Sequence, residues 1–95
     1  MHIYRSALLR FADDGSALYD EDGLLATAPD ADGRERVLAA GSWQALSAQV
    51  LAQAGADAVV QHLRGRIIAP GFVDMHIHYP QTDVIGSPAS GLLPW

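Results

Sequence analysis

Cysteine is missing from this chain altogether. That excludes a disulfide scaffold and any thiolate metal site, so a metal bound here would take nitrogen and oxygen ligands. A basic surplus is missing too: six Lys and Arg stand against eleven Asp and Glu, a formal net charge of −5. Nucleic-acid affinity rests largely on clustered Lys and Arg, so no nucleic-acid partner is expected. No apolar run approaches the ~20 residues that span a bilayer, and no membrane partner is expected either. Near the N-terminus Arg5 and Arg10 bracket only a few apolar residues, with Asp13 and Asp14 close behind. No signal-peptide core fits there, and a cytoplasmic location is the expectation.

What is present suits an ordinary globular chain. Its 95 residues allow one small domain at most, with a modest core. The acidic clusters Asp13-Asp14, Asp20-Glu21-Asp22 and Asp30 with Asp32 lie beside glycines, where they read as solvated turns. His2 to Phe11 is rich in strand-compatible residues and ends at the turn signal Asp14-Gly15. Leu18-Tyr19 and Leu24 to Ala28 predict short antiparallel pairing across a tight acidic turn, with Gly23 free to take a positive φ. Arg36 to Ala40 predicts one more strand.

The texture changes at Gly41. Ser42 is a candidate N-cap, Leu46, Val50, Leu51 and Ala54 recur at helical spacing, and Gly55 is a suitable stop. Asp57 to Leu63 returns to strand character, and Gly65 opens a second extended piece, Arg66 to Ala69. Residues 1–69 thus predict a small mostly-β domain with one inserted helix, a mixture that suggests no function by itself.

Chemistry begins at Pro70. Residues 69–81 read Ala-Pro-Gly-Phe-Val-Asp-Met-His-Ile-His-Tyr-Pro-Gln. A strand over Phe72 to Ile77 would send Phe72, Asp74, His76 and His78 to one face, and Val73, Met75 and Ile77 to the other. Two imidazoles spaced this way sit ~7 Å apart at Cα and can converge on one ion. A bare His-x-His is weak evidence in a chain with four histidines. Its setting strengthens it: Pro-Gly, an apolar run, then Asp-x-His-x-His at a strand end. His2 and His62 have no partner at ligand spacing and are expected at the surface.

The run IIAPGFVDMHIH closely resembles the signature of the amidohydrolase superfamily. The resemblance implies that His76 and His78 bind a divalent cation, zinc in the deaminase branch, at one zinc per full-length chain. It implies a fold as well. Residues 1–69 would form the β-rich N-terminal domain, part of a composite β-sandwich, and residues 70–95 the first strand and following loop of a (β/α)8 barrel. Within the superfamily, HIHYPQTDVIGSPASGLLPW and the opening YRSALLRFADD look like guanine deaminases. In those proteins a glutamine three residues after the second histidine contacts the purine, and Gln81 holds that position. The implied reaction converts guanine and water to xanthine and ammonia, in a full-length protein expected to be a homodimer.

Beside its implied role, each residue keeps a plainer reading. Asp74 either orients a metal ligand from one step away or hydrogen-bonds local backbone. Gln81 offers both an acceptor and donors, matching the mixed edge of guanine, or is an ordinary loop residue. Leu92, Leu93 and Trp95 are favoured as core over pocket wall. A catalytic zinc needs three or more protein ligands, and a barrel of this kind ~250 residues. The chain offers two ligands and no convincing proton shuttle. It is therefore expected to be truncated, inactive by itself, and poorly soluble or oligomeric. Two alternatives stay open: another amidohydrolase deaminase or cyclic-amide hydrolase, and a small non-catalytic metal-binding or interaction module.

Overall fold

The structure is a computed structural model and describes residues 1–78. Its elements run β1 (His2–Phe11), β2 (Ala17–Pro29), β3 (Glu35–Ser42), α1 (Trp43–Ala54) and β4 (Val60–Ile68). The strands form one sheet in the order β3-β2-β1-β4. β1 pairs antiparallel with β2 and parallel with β4, and β2 pairs antiparallel with β3. A mostly-β domain with one helix, as the sequence predicts, is what the described residues form.

Two hairpins share one local chemistry. Asp14 Oδ1 accepts from the backbone and hydroxyl of Ser16, at 2.9 and 2.6 Å. Asp30 Oδ1 accepts from the amides of Asp32 and Arg34, at 2.9 and 3.0 Å. Each carboxylate thereby closes its own turn before any long-range contact forms. Gly15 and Gly33 follow with φ of 84° and 76°, a region that side chains with a Cβ avoid.

Helix α1 covers one face of the sheet. Ser42 caps it, its side chain accepting from the Ala45 amide at 3.4 Å. Gly55 ends it, its N–H donating to the Leu51 carbonyl at 3.1 Å. Val50 is buried against Ile3, Leu24 and Ala26, and Leu46, Leu51 and Ala54 pack around them. Trp43, at the first turn, lies under the guanidinium of Arg5, whose Cζ is 4.5 Å from the ring centroid. Leu25 points to the opposite face, since neighbours along a strand alternate. There, with Leu8, Val37, Ala40 and Ile68, it lines an apolar hollow of about 300 Å³.

Three expectations need correcting. No turn interrupts β2 at Asp20-Glu21-Asp22-Gly23; the strand runs through it, and Gly23 has no positive φ. The carboxylates are tolerated there because arginines on β1 meet them. Arg5 donates to both oxygens of Asp22 at 2.7 Å, and Arg10 Nη2 stands 3.4 Å from Asp20. The two extended pieces either side of Gly65 are one strand, β4, bulged at Gly65 with φ 69°. Third, Phe72 to Ile77 is not a strand among the described residues. No neighbouring strand meets it, so its amides lack the ladder that makes an extended run a strand.

Two of the sheet's three register shifts border on one residue, the third lying between Ala26 and Thr27. On the β2 side the β1 register shifts between Ser6 and Leu8. On the β4 side it shifts between Arg5 and Ala7, from His62 to Ile67, so Ser6 alone stands opposite Leu63 to Arg66. Ser6 is 5% exposed, and its hydroxyl reaches the Arg66 carbonyl at 2.7 Å and that of Leu63 at 3.3 Å.

Candidate metal-binding pair

β4 ends at Ile68, and Ala69 to Gly71 carry the chain off the sheet into the segment with Asp74, His76 and His78. All three side chains are exposed. Asp74 folds back on its own segment: Oδ1 accepts from the His76 amide at 3.0 Å. This is an Asx-type closure, the same local device that tightens the hairpins. It bends the backbone so that the two imidazoles meet.

The meeting is close. His76 Nε2 and His78 Nε2 are 3.1 Å apart, with ring centroids at 5.2 Å and planes tilted by 31°. At that distance one ring donates an N–H and the other accepts. The same spacing suits a shared ion. Two nitrogens on one tetrahedral zinc, each at ~2.0–2.1 Å, lie about 3.3 Å from each other. Exchanging the shared proton for a metal ion thus requires only a small opening of the pair.

The chemistry of this donor set is incomplete. Among the described residues no group of three or more His, Cys, Asp or Glu side chains is placed to hold a metal. Asp74 Oδ1 is engaged with backbone, and the two imidazole nitrogens face each other. Gln81, predicted to contact a purine, lies outside the described residues, as do Leu92, Leu93 and Trp95. The two other histidines are exposed, as expected; His2 Nε2 stands 3.9 Å from Glu35 and stacks against Tyr4. Among the described residues no helix is long and apolar enough to cross a membrane.

The structure brings the two predicted histidines side by side, and it adds Ser6, to which sequence reasoning gave no role. The signal was slight: one small polar residue inside an otherwise strand-like run.

Comparison with known proteins adds an independent line. No family model matches the chain, and no solved structure matches it. Curated sequences do. The probable guanine deaminase of Deinococcus radiodurans is 38% identical over 100 residues, covering all of this chain and 22% of that protein. The guanine deaminase of Escherichia coli strain K12 is 53% identical over 36 residues, which is 38% of this chain and 8% of that protein. The chain therefore spans about a fifth of the length of the Deinococcus relative.

Proposed function

We propose that this chain, similar over its full length to one probable guanine deaminase and over 36 residues to another guanine deaminase, is the N-terminal portion of a zinc-dependent one. The observation that carries the reading is the His76–His78 pair. Their facing nitrogens stand 3.1 Å apart, at the foot of a chain 38% identical throughout to a protein named probable guanine deaminase. In this reading residues 70–95 open a (β/α)8 barrel, and residues 1–69 form the β-rich domain beside it.

The roles follow from the donors. His76 and His78 would hold the zinc through Nε2, and Asp74 would keep His76 in place through its backbone amide. When bound, the metal supplies a hydroxide nucleophile at neutral pH. Gln81 would bind the purine, its amide able to both donate and accept along the guanine edge. The carbon that bears the amino group takes the oxygen, and ammonia leaves with the proton delivered to it. Among the described residues no third ligand accompanies the pair.

The deciding experiment is an assay of the whole protein that carries these residues, following guanine to xanthine together with zinc content. Xanthine formation with about one zinc per chain supports the reading. Activity on a different heterocycle with the same zinc content would move it to another amidohydrolase. A folded protein with neither zinc nor turnover overturns it.

A further inference from the structure

Ser6 sits in the central pair of strands, yet its side chain serves the sheet's edge. Between Arg5↔His62 and Ala7↔Ile67 the register gives β1 one residue and β4 four. Four residues against one is a large bulge, turned at Gly65 with φ 69° and tied to β1 by the Ser6 side chain. Its single hydroxyl proton goes to the Arg66 carbonyl at 2.7 Å, with the Leu63 carbonyl at 3.3 Å as the longer, shared acceptor. Both mouths of the bulge are thus tied to one buried oxygen.

What lies beyond the bulge makes this consequential. Only two register pairs follow it, Ala7↔Ile67 and Leu8↔Ile68, before the chain leaves the sheet for Asp74, His76 and His78. So short a ladder holds its register weakly: Ile67 is 62% exposed, and Ile68 alone of the two is half-buried, against Leu8. A slip of one residue would advance the departing segment by ~3.3 Å and turn its side chains to the other face. Metal ligation tolerates errors of only about 0.2 Å.

We propose that Ser6 is a positioning residue for the His76–His78 pair: by tying Arg66 and Leu63 it fixes the root from which the histidine segment departs. The proposal rests on the metal-binding reading above. It assigns Ser6 no contact with metal or substrate.

The test uses the whole protein and reads zinc affinity by chelator competition, with amide hydrogen exchange at Ile67 and Ile68 as a second readout. Ser6→Ala is compared with Val50→Ala, which weakens the helix–sheet core without touching the bulge, and with Ser6→Thr, which keeps the hydroxyl. Ser6→Ala should weaken zinc binding by roughly 10-fold or more, as loss of outer ligand support does, and speed exchange at Ile67 and Ile68. Ser6→Thr should restore much of the affinity. Val50→Ala should lower the Tm yet leave zinc affinity within about twofold of the parent, as independent sites do. Equal zinc affinity in Ser6→Ala and the parent would overturn the proposal and leave the metal reading intact. A parent protein that binds no stoichiometric zinc would overturn both.

Discussion

Gly23 on β2 faces Leu8 on β1 so closely that a Cβ built on the glycine would stand 2.5 Å from the Leu8 Cβ. It would also stand 3.0 Å from the Ser6 carbonyl oxygen, which is backbone and cannot swing aside. Leu8 is itself 4% exposed, so the strands have nowhere to part.

Replacing Gly23 with alanine therefore sets two effects against each other. A strand interior ordinarily gains about 0.5–1 kcal/mol when glycine becomes alanine. Overpacking at a closed contact costs about 1–3 kcal/mol, and here it wins. Gly23→Ala should be destabilised by about 1–2 kcal/mol net, read as a lower urea midpoint with an unchanged slope.

Leu24, next along the strand, tests the other face. It is wholly buried between the sheet and α1. Leu24→Ala should cost about 2–5 kcal/mol, a large share of the stability of a small domain. Val59 is 79% exposed, and Val59→Thr should stay within about 0.5 kcal/mol. Equal losses for the two in urea unfolding would mean that the core is not where the structure puts it.

These residues also show what a sequence of this kind discloses. β1, β3 and α1 were legible because their signals are local: turn carboxylates, alternation, a capping serine, a terminal glycine. β2 was not. Asp20 and Asp22 look like a turn until Arg10 and Arg5 face them, 10 and 17 residues away. The nearness of the two histidines was legible because a single residue, Ile77, separates them. Ser6 was opaque because its partners, the carbonyls of Leu63 and Arg66, lie 57 and 60 residues on. The run at Phe72 has a composition that suits a strand, and among the described residues it meets no neighbouring strand.

Acid should weaken the fold through the carboxylates that were misread or used in turns. The Arg5 guanidinium bonded to Asp22 holds its carboxyl below the usual range. Arg36, aided by the Arg34 amide, does the same for Asp30. Unfolding returns both groups to an ordinary value near 3.9. Their contribution is thus complete above about pH 4 and is lost as the pH falls through the lower values of the folded state. Both pairs are solvent-exposed, so each contribution is small. Asp22→Asn should lower the urea midpoint at neutral pH and approach the parent in strong acid. A gap between the two that is independent of pH would show that the ion pair is not its source.

The Asp74 contact offers the sharpest test of the metal reading, because it separates geometry from charge. Its Oδ1 accepts from the His76 amide, and that bond needs an oxygen but no negative charge. Asp74→Asn keeps an acceptor oxygen, whereas Asp74→Ala removes it. If the carboxylate serves to hold the backbone, zinc affinity of the whole protein should fall by roughly 10-fold or more in the alanine variant and much less in the asparagine variant. His76→Ala and His78→Ala, each taking away a ligand nitrogen, should lose more affinity than either. An asparagine variant as weak as the alanine one would show that Asp74 acts through its charge, as a metal ligand or a proton acceptor. The mutually facing pair would then be a state that rearranges when the metal binds.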